Sequence, residues 1–600
     1  MAAPDTSDDR GERRPSLTSH ARQVILFAAG ATLLVSGVHL LTAWHAEMVR
    51  HQLTWAPREL WWMAPIGYGI QLMGIAAALV LLGVVLHRSR SRRFVVFVLG
   101  TYSALALLLL IPRLHPLAYA VLALGIGIQA ARSLATTRPS RRRVAGAVTV
   151  VVYVLGMTTW MWGTAVRQTG MVSLQAPADR PSVLLIIWDT VRAANLSAYG
   201  YGRPTTPFLE QLAADGVLYE SAFATAPWTL PSHASMFTGM PGSELSASWL
   251  TPLNEVFPTL AQVFHRLGWS TAGFVANHAY AQAGTGIERG FRRYEDFKRS
   301  LMQTLLTTTV LQTELAKQTA WAGTWSQRLR TLLAFQLRVM PIKLSDSKPA
   351  SEVTDGFLRW SDTQDGPWFA FLNYFDAHLP YRSPERFRVF DERPGNEHLY
   401  DGAIAYLDSE LQRLVTELRE RGTLDNTIVV VTSDHGEQFG EHGLVDHGNS
   451  LYSQVLHVPL FILAPGLNPA RISAPVSLRD LGATLLDLAG IGDSLPGTSL
   501  ARIVDGPDSR AAVLLAEVQR GINRDPAEPV MRGDMASVIT DSLHYIRNGD
   551  GVEELFRWRS DPGETGDLVA PDRADGLLRT MRAHLDSATR PASGIRRAGS

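Results

Sequence analysis

The feature that most constrains this chain is a series of five long apolar runs, at residues 23–44, 62–86, 94–111, 117–131 and 144–166, with charged residues confined to the links between them. Hydrocarbon offers backbone N–H and C=O groups no water to bond, so runs of this kind fold as helices. Crossing a bilayer core takes about 20 apolar residues, a length that the first, second and fifth runs reach. Runs three and four are joined by a tight link at Ile111-Pro112-Arg113 and read either as two crossings or as a re-entrant hairpin. Both readings leave Arg93 and Arg132 on one side. The expectation is therefore a five-helix transmembrane domain over residues 23–166, behind a cytoplasmic tail at 1–22, with the lipid bilayer as its partner.

Arginines orient that domain. The tail (Arg10, Arg13, Arg14, Arg22), the second link (Arg88, Arg90, Arg92, Arg93) and the fourth link (Arg132, Arg138, Arg141, Arg142, Arg143) hold thirteen of them. The alternate segments hold five: Arg50, Arg58, Arg113, Arg167 and Arg180. Cationic loops stay in the cytoplasm, so five crossings place everything after about Val166 outside it, in a multi-pass protein of the cell membrane. A long first run followed by four more argues against a cleaved signal peptide. The net charge of 0 averages two halves, since residues 1–180 carry 18 Arg, no Lys and 7 acidic groups, a balance of +11, and the rest carries −11. The balanced total excludes a nucleic-acid binder driven by bulk charge. The absence of Cys excludes disulfides, thiolate metal sites and a Cys nucleophile.

Beyond a linker at 167–181 the pattern changes. Run 182–188 is short, β-rich and ends at Asp189, as a buried parallel strand does. Helical stretches at 206–215, 259–267, 400–421 and 478–489 alternate with strand-like runs at 271–276, 368–375, 427–432 and 459–463. The alternation predicts a doubly wound, mostly parallel α/β sheet, in which ligands bind beyond the carboxyl ends of the strands. This catalytic domain is expected over 182–504, followed by a small α+β subdomain at 505–590 and a disordered tail at 591–600. Residues 300–348 read as an insertion, with a substrate lid and a helix lying on the membrane as the other readings.

Polar residues cluster where such strands end: Asp189, then Asp376-Ala377-His378, then Ser433-Asp434-His435. Two carboxylates and an imidazole at neighbouring strand ends suit a borderline divalent cation, Zn or Mn before Mg or Ca. Thr229, just ahead of Pro231 at the start of a helical stretch, is by itself an N-cap; as a fourth ligand it would be a metal-activated nucleophile. His378 and His447 are candidates to bind nonbridging oxygens or to protonate a leaving alkoxide, and Asn277 is a candidate oxyanion donor. His233, Glu437 and His442 read as structural.

These residues carry a resemblance. The ordered motifs Asp189-Thr190-Val191-Arg192, Tyr199-Gly200-Tyr201, Thr206-Pro207, Thr229-Leu230-Pro231-Ser232-His233-Ala234-Ser235 and Ser433-Asp434-His435-Gly436-Glu437 look like the core of the sulfatase family, within the alkaline phosphatase superfamily. Gly440-Glu441-His442-Gly443 and the Asp561-Pro562-Gly563-Glu564 turn are similar to further signatures of that family. The layout resembles lipoteichoic-acid synthases and phosphoethanolamine transferases. The resemblance implies Asp189, Asp434 and His435 as metal ligands, Thr229 as nucleophile and His378 as a substrate-binding residue, and it sets His447 where many sulfatases carry a substrate-binding Lys. Sulfatases make formylglycine from Cys or Ser within C/S-x-P-x-R. Here Thr229 cannot yield an aldehyde, and His233 replaces the Arg. One Asp of the family's first pair is Thr190, which weakens the case for Ca.

The expected function is metal-dependent hydrolysis or transfer of phosphoesters or phosphodiesters on envelope lipids or glycans. Hydrolysis of sulfate esters through the unmodified Thr229, and a non-catalytic envelope scaffold, are the alternatives.

Overall fold

The computed structural model describes residues 16–53, 59–85, 91–110, 116–136, 139–166, 176–296, 304, 305, 308, 347–391, 396–492, 495–504, 513–522, 524–569 and 575–590. Contacts divide the chain into a helical unit and a unit built on sheets. Residues 1–15 of the expected tail at 1–22, the expected tail at 591–600, and residues 167–175 of the expected linker at 167–181 lie outside the described residues.

The helical unit comprises α1 (Leu17–Met48), α2 (Leu60–Val85), α3 (Arg92–Leu108), α4 (Pro116–Thr136) and α5 (Pro139–Val166). All five apolar runs are thus helical. Three helical stretches, Leu17–Met48, Leu60–Val85 and Arg143–Trp162, are long and apolar enough to cross a membrane, while Leu117–Ser133 is a shorter apolar stretch. Leu26, Leu81, Val85, Val121 and Trp162 are more than half exposed, as lipid-facing side chains are. Glycines let these helices approach closely. A Cβ on Gly156 would meet the Gly37 carbonyl at 2.5 Å, and one on Gly37 would meet Tyr153 Cα at 2.6 Å. Thr304, Leu305 and Thr308 also belong to this unit, with Gln71 Nε2 donating to Thr308 Oγ1 at 2.7 Å. Thr308 is therefore packed on α2, whereas Lys348, at the far end of residues 300–348, donates to the Glu295 carbonyl in the sheet unit.

The sheet unit contains β1 (Ser182–Trp188), β2 (Val217–Phe223), β3 (Ser270–Val275), β4 (Arg293–Glu295), β5 (Trp368–Tyr374), β6 (Thr427–Thr432), β7 (Gln438–Phe439), β8 (Val445–Asp446), β9 (His457–Leu463), β10 (Ala470–Ile472), β11 (Val476–Ser477), β12 (Leu514–Val518), β13 (Met535–Ile539), β14 (His544–Arg547) and β15 (Glu553–Phe556). Its helices are α6 (Pro207–Leu212), α7 (Thr229–Thr238), α8 (Leu260–Arg266), α9 (Ala350–Ser361), α10 (Glu397–Glu420), α11 (Ser453–Leu456), α12 (Leu481–Leu488), α13 (Ala501–Val504) and α14 (Asp575–Ala588). The main sheet runs β10-β2-β9-β6-β1-β5-β3-β4, with β11 also on β2.

The centre of the sheet is β1, parallel to β5 and β6, with Ile187 level with Asn373 on one side and Thr432 on the other. Residues Val183 to Trp188 are all fully buried; covered on both faces, a central parallel strand reads as an unbroken apolar run rather than an alternation. The mostly parallel α/β expectation holds, with one difference. β9 runs antiparallel to both β2 and β6, and β2 itself has no clean sequence signal because Glu220 and Ser221 sit at a register shift between Tyr219 and Ala222. In the C-terminal part, β12-β13-β14-β15 form an antiparallel sheet. Leu578, Met581 and Leu585 of α14 pack there with Val538, Tyr545 and Leu555.

Candidate active site

Neighbouring strands β6, β1, β5 and β3 deliver their polar residues to one edge. Asp434 and His435 follow β6, Asp189 follows β1, Asp376 and His378 follow β5, and Asn277 follows β3. A peptide hydrogen bond from Asp189 N–H to the Tyr374 carbonyl, 2.9 Å, extends the β1–β5 pairing to the candidate ligand itself.

Thr229 is the first residue of α7, with Trp228 as N-cap. Its hydroxyl does not cap the helix. It lies 3.4 Å from His435 Nε2 and 3.3 Å from Asn277 Nδ2, and the side chain is 2% exposed. Ser232 Oγ donates to the Asp434 carbonyl at 2.6 Å, which ties the first turn of α7 to the β6 loop. His233 Nδ1 is 2.9 Å from the Thr229 carbonyl and 3.6 Å from Asp434 Oδ2. The residue read as structural thus rests against a candidate ligand.

Asp189, Asp434 and His435 each offer a donor atom within 4.8 Å of the others, all buried. Asp189 Oδ2 accepts from Asn277 Nδ2 at 2.9 Å and Asn373 Nδ2 at 3.0 Å, while Asp189 Oδ1 and Asp434 Oδ2 are buried with no hydrogen-bond partner. Burial, followed by the neighbouring Asp434 carboxylate, raises the Asp189 pKa. Burial holds His435 well below its ordinary value, with nearby His447 adding to the effect, so its imidazole is neutral. Two unpaired buried carboxylate oxygens, a neutral imidazole and a hydroxyl are a donor set that fits one divalent cation.

His378 and His447 face each other at the same edge, ring centroids 5.0 Å apart, and His447 lies 4.4 Å from the His435 ring. His447 Nδ1 lies 2.9 Å from Asp446 Oδ1 and 3.1 Å from Glu437 Oε1. Burial alone would lower the His447 pKa, but Asp446 and Glu437 outweigh it and hold it well above the ordinary value. A cationic imidazole therefore stands at the position where the family resemblance implied Lys. The sequence reading missed the part Glu437 plays here, and it missed Asn373. The signal for Asn373 was a lone carboxamide within the apolar run of β5.

Arg192, 6% exposed, explains the first motif. It pairs with Glu397 at 3.0 Å and Glu441 at 2.6 Å and donates to the Glu437 carbonyl at 3.0 Å. It thereby pins the glycine-rich loop that carries Glu437. His442, by contrast, stacks on Tyr452 at 3.6 Å.

The sulfatase family model matches residues 181–491. An uncharacterized sulfatase, YidJ, of Escherichia coli strain K12 is 25% identical over 463 residues, covering 68% of this chain and 87% of that protein. Arylsulfatase K of Bos taurus is 25% identical over 456 residues, 68% of this chain and 83% of its own. Among solved structures, the phosphonate monoester hydrolase of Agrobacterium radiobacter shares the fold with a TM-score of 0.53 at 20% identity, covering 68% of this chain and 95% of that one.

Proposed function

This chain belongs to the sulfatase family, and from that premise we propose that it is a membrane-bound, metal-dependent enzyme that hydrolyses or transfers phosphoesters or phosphodiesters of cell-envelope lipids or glycans through Thr229. The observation that carries the reading is a secondary hydroxyl set 3.4 Å from His435 Nε2 and 3.3 Å from Asn277 Nδ2. A secondary alcohol cannot become the aldehyde that formylglycine chemistry requires, so Thr229 attacks as a hydroxyl.

A divalent cation held by Asp189, Asp434, His435 and Thr229 would lower the hydroxyl pKa and draw charge from an ester oxygen. Thr229 Oγ forms a bond to phosphorus and releases its proton to water. The bond to the leaving oxygen breaks, and His378 or His447 protonates that oxygen. Asn277 Nδ2 donates toward the reacting centre. Water or an acceptor hydroxyl then displaces Thr229 from the phospho-Thr intermediate, passing its proton to the imidazole that protonated the first leaving oxygen, while Thr229 Oγ regains a proton from water. The arginine distribution supports a sheet unit outside the cytoplasm. So does Leu53, from the link between α1 and α2, which is 7% exposed within the core of that unit.

Thr229→Ala in the full chain is expected to cut turnover of bis(p-nitrophenyl) phosphate at least about a thousandfold even at metal concentrations that saturate the three remaining ligands; undiminished turnover rejects the reading. The names of the sulfatase relatives favour a second reading, hydrolysis of sulfate esters through the same hydroxyl. Faster turnover of p-nitrophenyl sulfate than of the phosphate esters would select it.

A further inference from the structure

Among the described residues, eight large apolar side chains of the sheet unit are exposed, and four of them stand within two residues in the chain of groups at or beside the candidate active site: Leu250, Leu379, Val445 and Ile522, at 43, 50, 61 and 42% exposure. Leu379 follows His378, and Val445 precedes Asp446 and His447. Leu250 follows Trp249, whose ring meets the backbone at Gly448 and stacks at 4.1 Å on Trp228, the residue before Thr229. Ile522 lies two residues before Arg524, whose guanidinium is 3.9 Å from Asp446. Scattered exposed Leu or Val residues need no explanation, but a set concentrated around one polar cleft marks a binding surface.

The same chain carries helical stretches apolar enough to cross a membrane. Leu53, which belongs to the sheet unit, meets this rim. The Leu250 carbonyl accepts from Leu53 N–H at 3.0 Å, and Leu53 stands five residues beyond the last residue of α1.

We propose that Leu250, Leu379, Val445 and Ile522 form a subsite for the hydrocarbon chain of a membrane lipid whose phosphoester is presented to Thr229; the inference rests on the phosphoester reading above. Polar groups at the cleft floor take the phosphoryl oxygens, and the rim removes the adjoining methylenes from water. Each methylene seated there strengthens binding by up to about fourfold.

The test uses the full chain in nanodiscs with p-nitrophenyl alkyl phosphodiesters of two to ten carbons. The expected result is that kcat/KM rises at least tenfold along the series through KM. Leu250→Ser, Val445→Ser and Ile522→Ser should flatten the rise and leave the ethyl diester unchanged. A chain-length-independent kcat/KM in the unaltered protein, or an unchanged slope in the variants, overturns the subsite while leaving the phosphoester reading standing. A binding arm needs no turnover. In this Cys-free chain, Val445→Cys carrying an environment-sensitive fluorophore should shift to shorter wavelength with decyl phosphate and not with ethyl phosphate, while Val552→Cys stays unchanged. Equal responses at both positions overturn the subsite. Absence of all phosphoester turnover, with the decyl-specific shift retained, rejects the chemistry and leaves the chain subsite supported.

Discussion

Asp189 is oriented by two carboxamides that spend their donors on one of its oxygens and leave the other unpaired. Asn373 does more than Asn277 in this respect, because its Oδ1 also accepts the Asn277 backbone N–H at 2.9 Å. Outer partners of this kind typically change metal affinity 10–100-fold when removed. Asn373→Ala is expected to weaken Zn or Mn binding by about that factor, measured by competition with a chelator. An unchanged dissociation constant with a lowered melting temperature would mean that Asn373 serves only packing. The candidate ligands were legible because their side chains are chemically distinctive and end apolar strands. Asn373 was harder to recognise, since a carboxamide in a strand has many ordinary uses and only the register beside Ile187 gives it this one.

At the scale of elements, α7 holds Thr229 by being fixed at both ends. Its first turn is tied to the β6 loop through Ser232, and its last is closed by Gly239 in the left-handed conformation, φ 71°. A Cβ on Gly239 would lie 2.0 Å from the Pro496 carbonyl, so strain and collision combine there. Gly239→Ala is expected to destabilise the sheet unit by about 2 kcal/mol or more, read as a lower melting temperature. The Asp561-Pro562-Gly563-Glu564 turn has a comparable role. Glu564, 1% exposed, accepts from Ser453 N–H at 2.8 Å and Ser453 Oγ at 2.6 Å, and lies 2.6 Å from His544 Nδ1. Burial would raise its pKa, but His544 and these donors hold it below the ordinary 4.5. A depressed carboxyl contributes stability that is complete above pH 4.5 and is lost as pH falls through the folded value. Glu564→Gln should therefore lower stability by about 3 kcal/mol at neutral pH and flatten the fall in melting temperature below pH 4.5. Parallel fall-off in the two proteins would contradict this.

For the whole molecule, the zero net charge is a sum of +11 over residues 1–180 and −11 over the rest. The first value comes from arginines in the tail and in the links around the apolar helices, and the second belongs to the unit that carries the buried candidate ligands Asp189 and Asp434. The absence of Cys makes the topology testable at single sites. Val389→Cys, at a position 72% exposed, is expected to react with an impermeant maleimide on intact cells. Ser140→Cys, at the start of α5, should react only after permeabilisation. The reverse pattern would put the sheet unit in the cytoplasm.

The sequence alone determined the class of each half. Apolar runs too long for a strand and free of charge have to be helices, and runs that end in Asp or His have to be buried strands with polar tips. These are local consequences of backbone hydrogen bonding and burial. The antiparallel entry of β9, the packing of Thr304 and Thr308 in the helical unit, the pairing of Glu437 with His447 and the apolar rim were decided by tertiary structure. Each depends on which distant segments become neighbours, and spacing along the chain carries little information about that.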